Sequence, residues 1–154
     1  MLNTKWTKSQ FFLLLGLRVI IGYHFLFEGF NKLFASSWSS GAYLSQAKWI
    51  FSDVFISLST SSAFVGISDF LNIWGQIFIG IGLILGLYTR TAAYAGAALI
   101  FLYYITYPPF IEGYIFVDRN LLEFFGLLII ALFSTSHTFG IDGIISKVRG
   151  GQNG

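Results

Sequence analysis

The sequence predicts an all-α polytopic membrane protein, a four-helix bundle. Three observations predict it: 55% of the 154 residues are hydrophobic and only 10% charged, four long apolar segments divide the chain, and none of them alternates apolar with polar residues. A soluble domain carries about 25% charge, so too few charged residues are present here to cover an aqueous surface. Without water in the bilayer core, backbone groups must bond within the segment, which favours helices; a membrane barrel would need period-two alternation. The net charge of +2, with no dense basic cluster, argues against nucleic acid. The absence of cysteine excludes disulfides, thiolate metal sites and persulfide chemistry on this chain.

The segments are Phe11–Phe27, Phe70–Tyr88, Thr91–Tyr107 and Leu121–Thr135. Several fall short of the ~20 residues that cross a bilayer, and polar edges at Glu28–Phe34 and Asn120 are expected to extend them. Lys5 and Lys8 before an apolar run resemble a signal peptide, but no small-x-small cleavage site follows and Arg18 interrupts the run, so an uncleaved first helix is expected. One domain is expected over 1–149, with a flexible glycine-rich tail at 150–154.

With four spans, both termini and the Leu87–Thr91 turn share a side. That side carries Lys5, Lys8, Arg90, Lys147 and Arg149 of the nine basic residues, which makes both termini cytoplasmic by the positive-inside rule. The long outer connection Ala35–Asp69 carries Tyr43, Ala47, Ile50, Val54 and Leu58 at spacings of three and four, so an amphipathic helix is expected over Ala42–Leu58. Pro108-Pro109 ends the third helix.

The candidate chemistry lies in the first segment, where Arg18, His24, Glu28 and Lys32 interrupt or border apolar sequence. Each charge in a membrane helix costs about 2.5–3.5 kcal/mol on insertion scales, so such residues face a bundle interior and mark a site. Arg18, Gly22, Phe25, Gly29 and Lys32 share one stripe at about 100° per residue. Glu28 precedes Lys32 by four residues, the favourable order for an ion pair. The glycines admit a close neighbouring helix. Two readings remain open for this stripe: a structural pair at a helix interface, or a ligand site.

In the second segment Asn72 and Gln76 share a face with Ile79, Leu83 and Gly86; in the fourth, Asn120 and Glu123 lie on one face behind Asp118-Arg119, which could cap the helix start. Glu123 is a partner for Arg18 or for Lys32, or a proton acceptor. Arg18, Lys32, Asn72, Gln76 and Asn120 are the candidate substrate-binding residues; Glu28, Glu123 and His24 are the candidate catalytic ones. Most of these polar groups converge in the outer half, beneath the long loop. An anion or polar head group there, with a tail among phenylalanines, suits a quinone, a lipid or a small oxyanion. No metal, haem or flavin motif is present.

The ordered set Leu17-Arg18-Val19-Ile20-Ile21-Gly22-Tyr23-His24-Phe25-Leu26-Phe27-Glu28-Gly29 with Lys32, Trp38-Ser39-Ser40-Gly41-Ala42-Tyr43-Leu44, Leu71-Asn72-Ile73-Trp74-Gly75, Thr89-Arg90, Tyr103-Tyr104, Pro108-Pro109-Phe110, Asn120-Leu121-Leu122-Glu123 and Gly140-Ile141-Asp142 resembles the DoxX family over nearly the whole chain. It is most similar to the DoxD-like branch, the small membrane subunit of thiosulfate:quinone oxidoreductase. An acid often stands in that family where this chain has Gln76. The resemblance implies a membrane subunit of a quinone-linked oxidoreductase in a bacterial cytoplasmic membrane, oxidising thiosulfate to tetrathionate together with a second protein subunit. The alternative is a non-enzymatic accessory subunit of a larger membrane complex. Membrane lipid is the expected surrounding partner in either case.

Overall fold

The computed structural model describes residues 7–113, 115–133, 135 and 138–150; the segment with Lys5 and the expected tail beyond Gly150 lie outside the described residues. Among these residues every regular element is helical: α1 (Lys8–Phe34), α2 (Ser40–Leu44), α3 (Ser52–Ser59), α4 (Ser62–Leu85), α5 (Thr89–Thr106), a 3₁₀ turn (Pro109–Glu112), α6 (Arg119–Leu132) and α7 (Ile141–Gly150).

Among the described residues three helical stretches are long and apolar enough to cross a membrane: Lys8–Phe34, Ser62–Leu85 and Thr89–Ile111. The fourth expected span, Leu121–Thr135, is shorter than anticipated. It becomes α6, 14 residues ending at Leu132 and about 21 Å long at 1.5 Å per residue, against a hydrocarbon core of about 30 Å.

Capping fixes most helix starts. Thr7 accepts from the Gln10 amide while Gln10 accepts from the Thr7 amide, a capping box that begins α1 upstream of the apolar run. Ser61 caps α4, so this helix starts eight residues before the apolar segment at Phe70 and shortens the outer connection. Asp118 accepts from the Leu121 amide and starts α6.

The single amphipathic helix expected over Ala42–Leu58 is broken in two. Gln46 Nε2 and Ser45 Oγ both donate to the Ala42 carbonyl and close α2. The Lys48 amide then donates to the Thr106 carbonyl of α5, and Trp49 packs edge-on against Phe110. These tertiary bonds cost the segment a helical turn before α3 resumes. The short helix α7 was not anticipated; its four aliphatic positions are too few for a spanning signal.

The core joins Ile21 and Phe25 of α1, Ile79 and Leu83 of α4, Ala93, Ala97 and Ile100 of α5, and Leu127, Ile130 and Ala131 of α6. Helices α1 and α4 interlock through glycine. A Cβ on Gly80 would lie 2.7 Å from the Leu26 amide nitrogen and 2.8 Å from the Gly22 carbonyl oxygen, and one on Gly29 would lie 2.7 Å from Ile77 Cγ1.

At one end, the turn end, Gly86 closes α4 with φ 68°, a left-handed conformation natural to glycine. There Arg18, 1% exposed, donates to Thr135 Oγ1 (3.2 Å) and to the Phe139 carbonyl (2.9 Å). Helix α5 has no local side-chain cap; Asp142 of α7 supplies it, accepting from the Tyr88 and Thr89 amides at 2.8 and 3.2 Å. The opposite end, the loop end, carries α2, α3 and the 3₁₀ turn.

Candidate functional site

The loop end of the bundle encloses a cavity of about 400 Å³ between the last turns of α1 and α5 and the first turns of α4 and α6, roofed by α2 and α3. Its polar lining comes from Glu28, Lys32, Ser40, Ser68, Asn72, Thr106, Arg119 and Asn120; Trp38, Tyr43, Leu44, Phe55, Phe64, Leu99, Leu102 and Tyr103 supply the apolar and aromatic surface.

Lys32 is the centre of the polar wall. Its Nζ donates to Gln76 Oε1 (2.7 Å) and to Glu28 Oε2 (3.3 Å), and lies 5.4 Å from the Trp38 ring and 6.0 Å from the Tyr103 ring. An ammonium carries three N–H donors, so two are used by the protein and one remains for a ligand. Aromatic faces also stabilise the cation. Tyr103 donates its hydroxyl to Asn72 Oδ1, and Asn72 Nδ2 donates to the Ser68 carbonyl at 2.9 Å, which locks the amide's orientation. In the roof, Tyr43 donates to the Tyr103 carbonyl (2.9 Å). Burial, with Asp118 and Tyr107 nearby, pushes the Tyr43 phenol up to about 12, so it remains a donor at any ordinary pH.

From the cavity wall a row of titratable groups runs down α1. Glu28 Oε1 is 3.9 Å from His24 Nε2, and His24 Nδ1 is 2.7 Å from Glu123 Oε1 on α6. An ionised Glu123 can only accept, which places an imidazole proton on Nδ1 and turns Nε2 toward Glu28. The Glu123 side chain is 9% exposed and the Glu28 side chain 37%, so the row runs from a partly buried carboxylate to one open to the cavity.

The residues singled out from sequence divide by place. Glu28, Lys32, Asn72 and Asn120 line the cavity; Gln76 reaches it through Lys32, and His24 and Glu123 through Glu28. Asn120 also donates to Asp118 at 2.9 Å. Arg18 is elsewhere, about 21 Å along α1 from Lys32 at 1.5 Å per residue, in the turn-end network. Glu123 pairs with neither Arg18 nor Lys32, the two partners expected for it, but with His24. The second cation at the cavity is Arg119, for which only a place beside the helix cap was foreseen. Tyr43 and Tyr103 were also missed as polar participants; phenols in an apolar register carry no periodic signal, and Arg119 was detectable only as a charge at the end where other polar groups meet.

Residues 13–108 match the DoxX family. This stretch covers more than half of the chain and includes most of α1 and all of α2 to α5. The chain belongs to the DoxX family. No curated protein and no solved structure matches it. In this DoxX protein the matched stretch contains His24, Glu28, Lys32, Asn72, Gln76 and Tyr103, while Glu123, Arg119 and the Arg18 acceptors Thr135 and Phe139 lie beyond it. The matched helices thus form three walls of the cavity, and α6 provides the fourth.

Proposed function

We propose that this DoxX-family protein is an integral membrane subunit of a quinone-linked oxidoreductase, with the loop-end cavity as the head-group site. The observation that carries the reading is Lys32: a cation with a free donor, set in an aromatic cavity, beside a carboxylate that begins a carboxylate–imidazole–carboxylate row. The residues fit such a head group. A cavity of about 400 Å³ lies within the range of roughly 300–1,000 Å³ usual for small-molecule sites. A carbonyl oxygen needs a donor, which Lys32 offers; a planar ring needs flat apolar walls, which Trp38 and Tyr103 offer.

A quinone supplies acceptance of two electrons and two protons. The chain's own residues do the rest. Lys32 binds and orients an oxygen atom. Gln76 and Glu28 hold the Lys32 ammonium in place. Glu28, on the cavity wall, exchanges a proton with the ligand oxygen, and His24 passes it to or from Glu123 through its two ring nitrogens. In this reading α6 is a short fourth span, both termini face the cytoplasm of a bacterial cell, and a second protein subunit handles the electron donor. Thiosulfate is the donor that the DoxD-like resemblance implies; the positive charges of Arg119 and Lys32 suit an oxyanion approaching from outside.

The test is mild extraction of the protein followed by mass analysis of its bound small molecules. The reading expects quinone close to one per protein, reduced roughly tenfold or more in Lys32→Gln, a loss of at least ~1.4 kcal/mol of binding. Absence of quinone together with a stoichiometric protein partner favours the non-enzymatic accessory subunit instead.

A further inference from the structure

We infer that the cavity is loaded sideways, from the lipid leaflet between α4 and α5, so that its ligand is a membrane-dissolved amphiphile with a polar head and an apolar tail. This deepens the reading above by naming a route and a ligand class, and rests on it only for the identity of the head group.

Gly86, Leu87 and Tyr88 join α4 and α5 tightly at the turn end, and the cavity lies between their far ends. Leu102 of α5 both lines the cavity and is 49% exposed; Phe64 of α4 lines it and is 36% exposed. Both belong to helices long and apolar enough to span a membrane, so the exposed part of each side chain meets acyl chains. A residue that touches both the cavity and the lipid marks a gap in the wall. The gap is lined by apolar side chains, whereas Lys32 and Asn72 stand on the polar side. A molecule entering there meets hydrocarbon first and donors last, the polarity order of an amphiphile arriving head first.

On the water side the exposed Arg119 also borders the cavity, but the roof beside it is tied down. Helix α2 is tied to the bundle by the Ser40 amide donating to Asp69 Oδ1 (2.6 Å), by Tyr43 donating to the Tyr103 carbonyl, and by the Lys48 amide donating to the Thr106 carbonyl (3.2 Å). Helix α3 buries no residue and reaches the cavity through Phe55.

The cysteine-free chain makes this directly testable. Ser40→Cys places a thiol on a buried cavity position, and Thr106→Cys provides a second if the first variant folds poorly. In proteoliposomes, each thiol is treated with a long-chain alkyl maleimide dissolved in the bilayer and, separately, with a sulfonated methanethiosulfonate in the water. Rates are normalised to the exposed loop position Ser37→Cys. The proposal expects the alkyl reagent to react faster at the cavity thiol by at least ~tenfold, and expects Leu102→Trp to slow it by a similar factor while leaving the charged reagent unchanged. Equal or faster reaction with the charged reagent overturns it, as does an alkyl rate that Leu102→Trp does not alter. These rates do not depend on a quinone, so a failure to extract quinone sinks the head-group assignment alone.

Discussion

His24 on α1 and Glu123 on α6 meet across the bundle, with Nδ1 2.7 Å from Oε1. The pair is a part-buried polar contact between these two helices, and His24 lies one turn along α1 from Glu28 on the cavity wall. It therefore combines a structural tie with a link toward Glu28, whose Oε1 lies 3.9 Å from the other ring nitrogen. Glu123→Gln should weaken the bond and Glu123→Ala should remove it, at a cost of about 1.5–3 kcal/mol for a hydrogen bond involving a charged group. Unfolding of the purified protein in detergent measures this. The double variant with His24→Phe should lose less than the sum of the single losses, because both remove the same contact; additive losses would show that the pair is uncoupled.

Arg18 behaves as a clasp in the turn-end network. It is buried, donates to two acceptors between α6 and α7, and lies against Gly86 so closely that a Cβ there would sit 3.2 Å from Nη1. Arg18→Ala should cost about 1.5–3 kcal/mol for each hydrogen bond it removes, the range for bonds involving a charged group, and should lower membrane accumulation. Ligand content of the proposed loop-end site, per folded molecule, should be unchanged. Normal protein level with lost ligand would return Arg18 to the ligand site.

The glycine interlock makes a paired test. Gly80→Ala must push a methyl into the backbone of Leu26 and Gly22, and should cost about 1–3 kcal/mol. Gly75→Ala meets nothing within 4 Å on the same helix and should leave the melting temperature unchanged or slightly raised. Equal effects of the two would show that α1 and α4 do not pack through these glycines.

The roof should be alkali-sensitive in a particular window. Burial raises the Tyr43 phenol from its ordinary value of 10.0 to about 12, so the folded protein favours the protonated form. Its contribution to stability is complete below pH 10 and declines as pH rises through about 12. In a phenolate absorbance titration, subtracting Tyr43→Phe from the natural protein should leave a difference component near pH 12. A difference component at pH 10 would place Tyr43 in water.

Much of this molecule is legible in its residues, and the illegible parts have identifiable causes. Glu28 and Lys32 pair because four residues on a helix are one turn, a local rule needing no neighbour. That Asn72, Lys32 and Asn120 lie at one end follows from counting residues along each span. Which side chain meets which does not. A soluble helix shows its buried face by contrast with a polar one, but in lipid both faces are apolar, so the rotation of α6 about its axis leaves little trace. That rotation decides whether Glu123 meets Lys32, Arg18 or His24.

Depth was equally hidden for Arg18. Ten residues of α1 precede it, which suggests a position well inside the membrane, yet α4 and α6 end at its level and Phe139, just before α7, meets it. The division of the outer helix at Ala47–Phe51 has the same origin, since the carbonyl of Thr106 and the ring of Phe110 reach that segment only once the bundle is assembled. By itself the sequence determined the long apolar helices, their membrane character and the end where polar groups gather, because hydropathy, capping and proline act over a few neighbouring residues. The tertiary structure alone decided the partners of His24, Arg18 and Lys32 and the shape of the cavity they border, because those depend on helix rotation and relative depth, which apolar surroundings leave unmarked.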